Sequence, residues 1–407
     1  MPARIKIHSF LMSIGVFLIL FCGCNEKPVP IGNVKVGALF PLSGDLADKG
    51  KDSTDGVRLA VEEINAAGGI AALGGAKLDL IVGDTQGKPE MGVREAERLI
   101  KDQGVITLIG TYQSSVTKSA TQVAERLETP FIVSISIADV ITERGFRYTF
   151  RIPPKAQFYG RDQVKFLTEL GNLAGYPVKR VALLHENTDF GTSAASAQKK
   201  ALMEYGLELV AEVSYVAEGV ADLTQEVALV LAAEPDIILE ATYLNDSILI
   251  CQALVESGST IPLVDTAGGT VSAEYVEKLG PLAEGTLTLS EYSKYAAGGK
   301  ELNDRFRARF GTDVTGDSAH AYQAVWVLKD ALERTGSQDK KKVRDALAAS
   351  DLIRGTQMIL PADRLRFDAS GQNEFARLFV VQIQNGELVP VWPAEFASAK
   401  IRMKSDR

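Results

Sequence analysis

The sequence predicts an α/β protein of two similar lobes, each a doubly wound parallel sheet with helices on both faces. Three observations carry this. From residue 34 onward short apolar runs alternate with segments of helical period, and repeated strand–helix–strand units require a parallel sheet covered on both sides. The alternation halts at Pro153-Pro154 and then begins again. Finally, 407 residues, 46% hydrophobic and 24% charged, suit two sizeable cores and exclude collagen, coiled coil and disordered tail.

In the first lobe, residues 34–39 read as a strand ending at Pro41-Leu42-Ser43-Gly44. A helix follows, with Val57, Ala60, Val61 and Ile64 on one face and Gly68-Gly69 as its stop. Residues 78–82 form the next strand and 90–101 the next helix. A strand over 105–109 ends at Gly110, a helix covers 115–127, and a short strand covers 131–133. After the prolines come helix 157–170, strand 181–185, helix 193–205, strand 209–215, helix 223–233, strand 237–240, helix 246–257 and strand 263–265. A strand over 286–289 then leads to helices 301–310, 319–334 and 341–349. The late strands 356–359, 365–367 and 378–384 alternate apolar with polar residues, which places them at sheet edges or between lobes.

The first 23 residues read as an address rather than fold. Arg4 and Lys6 precede the apolar run 10–21, which is shorter than the roughly 20 residues of a membrane span. Gly23-Cys24 resembles the end of a bacterial lipoprotein signal, where the cysteine thiol is lipidated, and residues 24–33 then form a tether. Of three cysteines only Cys251 would remain unmodified, as a buried small apolar residue. An exported chain without disulfides relies on its cores alone.

The formal charge is −8, and without Arg4 and Lys6 the 44 bases become 42 against 52 acids. That balance disfavours nucleic acid, which needs clustered Lys and Arg. The run Lys340-Lys341-Lys342 reads as a solvated helix face. No dinucleotide or phosphate loop, serine elbow, zinc helix motif or cysteine pair occurs. Of three histidines, His8 lies in the address, while His185 and His320 read as structural. Carboxylates are plentiful but no pair stands out, so an exported hydrolase has little support. No cofactor and no metal are expected.

Ligands of open parallel sheets bind beyond the carboxyl ends of the strands. The loops to inspect are 40–50, 84–89, 110–115, 134–139, 185–192, 241–246 and 265–270. Gly110-Thr111-Tyr112-Gln113-Ser114-Ser115 ends a strand and opens a helix. Its hydroxyls and backbone N–H groups suit a carboxylate, helped by the helix dipole. The backbone of Ser134-Ile135-Ser136-Ile137 faces the same region in this reading. Phe190 and Tyr243, aromatic residues near strand ends, suit stacking on a ligand. Asp84 and Asp189 read as residues that order their loops.

The order of motifs resembles the leucine/isoleucine/valine-binding family of periplasmic ABC-transporter receptors. The matching pieces are residues 36–44 (VGALFPLSG), 56–70 (GVRLAVEEINAAGGI), Gly110 with Ser114-Ser115, 141–145 (ITERG), Phe150-Arg151, Asp189-Phe190-Gly191 and 320–324 (HAYQA). The resemblance spans residues 34–390. It implies the type I periplasmic binding fold, with three crossovers between lobes. Lobe 1 would take 34–152 plus 290–366, and lobe 2 would take 153–289 plus 367–400. It also implies hinge closure on a small ligand.

Residue by residue, the family's carboxylate-holding hydroxyl falls on Ser114, backbone contacts fall near Ile135 and Ile137 around Ser136, and aromatics fall on Phe190 and Tyr243. Two departures matter. Ala267 stands where the family's amino-acid receptors place an acid for the ligand's ammonium, with Asp265 two places earlier as the substitute. Lys49 stands at an often aromatic position and would favour a second acidic group on the ligand. The resemblance therefore implies an extracytoplasmic, lipid-anchored, monomeric receptor. It would bind an amino acid or related carboxylate and present its closed form to an ABC permease. The alternative is a sensory protein that presents an amino acid, amide or organic acid to a receptor instead.

Overall fold

The computed structural model describes residue 1 and residues 32–296, 298–353 and 361–403. Its first unit alternates β1 (Val34–Phe40), α1 (Ala47–Ala66), β2 (Leu78–Asp84), α2 (Pro89–Glu97), β3 (Thr107–Gly110), α3 (Ser114–Arg126), β4 (Phe131–Val133) and β5 (Thr149–Arg151). The strands form an all-parallel sheet in the order β2-β1-β3-β4-β5. Only Lys35 of β1 is exposed, because the strand lies between two neighbours in a sheet covered on both faces. That position explains its near-continuous apolar run.

The second unit alternates α4 (Ala156–Ala174), β6 (Arg180–Glu186), α5 (Asp189–Tyr205), β7 (Glu208–Tyr215), α6 (Thr224–Ala232), β8 (Ile237–Ala241), α7 (Leu244–Glu256), β9 (Leu263–Asp265), α8 (Ala273–Leu279) and β10 (Leu287–Ser290). The chain then returns to the first unit with α9 (Gly299–Phe310), α10 (Gly316–Thr335) and α11 (Lys340–Ala348), followed by an antiparallel pair, β11 (Asp351–Ile353) and β12 (Arg364–Arg366). It crosses once more to add β13 (Phe379–Gln384) and β14 (Glu387–Trp392). The second sheet runs β14-β13-β10-β9-β8-β6-β7, parallel except for β13 and β14.

The cores follow the same division. One buries Val36, Ala38 and Ile64 with Leu302, Phe306, Leu328 and Leu365 from the returning segment. The other buries Val181, Leu239 and Leu289 with Leu378, Val380 and Trp392. The chain thus passes between two α/β lobes three times, after β5, β10 and β12.

Several boundaries differ from the sequence reading, each for a local reason. Helix α1 begins ten residues before Val57, because its first turns bury polar groups rather than an apolar stripe. Ser53 and Thr54 bend their hydroxyls back to the carbonyls of Lys49 and Gly50, each at 2.8 Å, which removes the need for outside partners. Residues 47–50, read as loop, are therefore helix. The α-helical part of α2 stops at Glu97 and continues as a π turn over Arg98–Asp102. Strands β5 and β11 have three residues each, too short for a period to show. Strand β14 carries Pro390, which is tolerated because the strand is at the sheet edge. The strand expected over 356–359, the address segment and Cys24 lie outside the described residues. Cys251 is buried among Leu244, Ile248 and Tyr275, as expected.

Two devices fix α10 against α1. Thr315 caps the helix, its side chain accepting from the N–H groups of Asp317 and Ser318, and Gly336 ends it in the left-handed region at φ 53°. On the facing helix, a Cβ at Gly56 would sit 2.2 Å from the Ser318 carbonyl oxygen. Only glycine lets the two helices approach this closely.

Candidate functional site

The lobes meet along a cleft of about 380 Å³, part of it open to solvent. Its first wall comes from the loops after β3 and β4, which supply Tyr112, Ser114, Ile135, Ser136 and Ile137. The opposite wall has Tyr159 from α4, Phe190 from α5, Tyr243 before α7, and Thr266, Ala267 and Gly268 after β9. Glu291, on the crossover after β10, and Asp317, in the first turn of α10, complete it.

Ser114 is the first residue of α3, and Gln113 before it supplies no side-chain cap. The opening N–H groups of the helix are thus left for an outside acceptor. The Ser114 hydroxyl accepts from the Ala138 N–H at 3.3 Å, so its own O–H remains to donate. Ser136 does something different. Its hydroxyl bonds to the Tyr112 carbonyl at 2.9 Å and to the Thr117 hydroxyl, which fastens the second loop to the first. Beneath both lies Arg151, fully buried. Its guanidinium donates to the Ala138 carbonyl at 2.7 Å, Thr142 Oγ1 at 2.7 Å and Gln372 Oε1 at 2.6 Å. These bonds tie the loop after β4, at Ala138, to the third crossover at Gln372. Burial lowers the pKa of Arg151 to about 10, and the group stays charged at neutral pH.

On the second wall Phe190 and Tyr243 lie with ring centroids 5.2 Å apart, and Tyr112 reaches over from the first lobe to 6.1 Å from Tyr243. Glu186 positions Phe190 by accepting from Thr188 Oγ1 at 2.8 Å and the Gly191 N–H at 2.6 Å. The Tyr159 hydroxyl is buried with no hydrogen-bond partner among the described residues.

Three expected ligand residues are not among those lining the cleft. Asp265 turns into its own loop, where Oδ2 accepts from the Gly268 N–H at 2.9 Å and Thr270 Oγ1 at 2.5 Å. It shapes the loop that presents Thr266, Ala267 and Gly268. Ser115 is half-buried one step along α3. Lys49 stands behind Asp317, with Nζ 3.8 Å from Oδ2. The described carboxylate nearest Lys49 Nζ is thus the chain's own Asp317. Asp84 orders Leu42 and Ser43, accepting from the Leu42 N–H at 2.8 Å and Ser43 Oγ at 2.7 Å.

Sequence reading missed Tyr112, Tyr159, Glu291 and Asp317. Tyr112 lay inside a loop already chosen. Tyr159 falls on the apolar period of a helix and is indistinguishable from core. The two acids belong to the second crossover and a helix start, which only the fold brings to the cleft. Burial, then the Asp317 charge, pushes the Glu291 carboxyl up to about 8. Burial likewise raises Asp317, with Lys49 opposing.

Two α/β lobes facing each other across a cleft of hydroxyls, amides and aromatics have the architecture of a solute-binding protein. The model of the family described as periplasmic binding protein matches residues 33–387, and the chain belongs to the leucine/isoleucine/valine-binding family of periplasmic binding proteins. It is similar to Leu/Ile/Val-binding protein homolog 7 of Brucella suis biovar 1 (strain 1330), 31% identical over 382 residues, covering 91% of this chain and 94% of that protein. Among solved structures, it resembles the branched-chain amino acid transporter substrate binding protein LivJ of Streptococcus pneumoniae in complex with isoleucine. The identity there is 24% and the TM-score 0.77, with 88% of this chain and 97% of that chain covered. It also resembles a solute binding protein from R. palustris in complex with benzoate, at 20% identity and TM-score 0.76, covering 91% and 100%. These two are likenesses of fold. The family comprises substrate-binding proteins rather than enzymes, acting outside the cytoplasm. No helix among the described residues is long and apolar enough to cross a membrane.

Proposed function

We propose that the chain is the solute-binding receptor of an ABC importer. It holds the carboxylate of a small ligand, an amino acid of the branched-chain or a related class, at the N-terminus of α3. The observation that carries this reading is the uncapped start of α3, with the Ser114 O–H free to donate, opposite the Phe190–Tyr243 shelf. A carboxylate there gains charge-assisted bonds and a favourable helix dipole, while an apolar side chain gains the aromatic wall. The Brucella relatives are named for leucine, isoleucine and valine, and the pneumococcal neighbour holds isoleucine, which supports the ligand class. In this reading lobe 1 comprises residues 34–152 plus 290–366 and lobe 2 residues 153–289 plus 367–400. Cys24 carries the lipid that keeps the receptor, a monomer, near its permease.

Calorimetric titration of purified, ligand-stripped protein with amino acids and organic acids tests this. Heat release and a raised melting temperature are expected with at least one branched-chain member. Ser114→Ala should weaken that binding by roughly 1–3 kcal/mol. Silence across the whole panel would falsify the reading.

A further inference from the structure

By the resemblance, the acid that the family's amino-acid receptors present after β9 falls on Ala267, and Asp265 is turned away into its loop. Two other carboxylates border the same cleft. Glu291 is 9% exposed and lines the cleft, and its carboxyl accepts only from its own backbone N–H among the described residues. Its Oε2 lies where a Cβ on Gly316 would come within 2.8 Å, so the start of α10 is kept clear for it. Asp317 lines the cleft too, and its Oδ2 is buried with no hydrogen bond, facing only the Lys49 ammonium at 3.8 Å. Asp52, whose carboxylate accepts from Thr315 Oγ1 at 2.5 Å, adds a further acid behind them. The lysine's charge thus acts on Asp317 and Asp52 but not on Glu291. Buried acids lacking donors are costly, and an ammonium brings three donors.

We propose that Glu291 and Asp317 form the subsite for a positively charged nitrogen of the ligand, opposite the carboxylate end at Ser114. This rests on the receptor reading above and extends it. The ligand is a zwitterion, its ammonium met from the second crossover and the start of α10 rather than from the loop after β9. Lys49 holds Asp317 in place and leaves Glu291 without a countercharge, so an incoming ammonium would favour the ionised form of its carboxyl. The wall that Lys49 was expected to make attractive for a second acid is attractive for a cation instead.

The test compares matched pairs on the ligand-stripped full chain. Leucine, isoleucine, valine, phenylalanine, lysine and glutamate are each titrated beside the same acid without its α-amine, such as 4-methylpentanoate for leucine. The amino acid that binds should do so at least roughly tenfold more tightly than its amine-free partner. Glu291→Gln and Asp317→Asn should each shrink that gap by weakening the amino acid alone. A carboxylate at the helix start that merely lost stability would move both members of a pair together. If one variant fails to fold, the other carries the comparison. The gap in the unaltered chain stands apart from both. Equal binding with and without the amine, or a gap intact in both variants, overturns the subsite while leaving carboxylate binding in place. If neither member of any pair binds, the receptor reading falls and takes the subsite with it.

Discussion

Glu291 shows how a single side chain can be invisible in sequence and prominent in the fold. Read along the chain it is one acid among 52. Folded, it sits on the cleft with Asp317 and over Gly316 of α10, with Lys49 and Asp52 of α1 behind. Its carboxyl, pushed up to about 8, keeps a proton in the folded protein that the unfolded chain gives up near pH 4.5. Between those values unfolding releases the proton, so stability falls as pH rises and levels off above about 8. Asp52, raised to about 7, adds to the same trend. We expect Glu291→Gln to gain at least about 2 °C in melting temperature relative to the unaltered ligand-free chain between pH 5 and pH 9. Parallel curves would show that the carboxyl ionises freely. Ser114 is the opposite case. It was legible because a hydroxyl right after a strand and right before a helix has a known physical use, whatever the rest of the fold.

At the scale of elements, the alternating pattern located the main strands and helices because strands buried on both faces are apolar throughout. It failed where burial is polar. The opening turns of α1 hide Lys49, Ser53, Thr54 and Asp55 in the interior, so no apolar stripe marks them, and Lys49 was read as a loop residue. The contact of α1 with α10 has its own requirement. Gly56→Ala places a methyl group 2.2 Å from the Ser318 carbonyl oxygen. Alanine favours a helix over glycine by about 1 kcal/mol, yet the clash costs roughly 1–3 kcal/mol. We expect net destabilisation in urea unfolding. An increase in stability would mean that α10 yields at this contact, which would also move Asp317.

For the whole molecule, the lobes touch across the cleft through more than the aromatic contact. Lys118 of α3 reaches Asp189 of α5 at 2.9 Å, and Ser193 Oγ accepts from the Asp139 N–H at 3.1 Å. Sequence reading gave Asp189 a loop-ordering role, and it made no provision for a partner in the other lobe. Both members of the ion pair are partly exposed, so the pair contributes roughly 0–1 kcal/mol and is screened by salt. Raising the ionic strength from about 0.01 M to about 1 M shortens the screening length from about 30 Å to about 3 Å. Ligand affinity should then fall no more than roughly fivefold, and Lys118→Ala should reproduce that loss while reducing the salt dependence. An unchanged salt dependence in the variant would show that the pair does not latch the closed form.

The second crossover carries a consequence of its own. Glu291 follows Ser290, the last residue of β10, and so sits on one of the three crossovers between the lobes. In the proposed reading the solute's charge is met on one of the three stretches of chain that join the lobes. On that reading, what is captured and how long it is kept would both be set close to one short stretch of backbone.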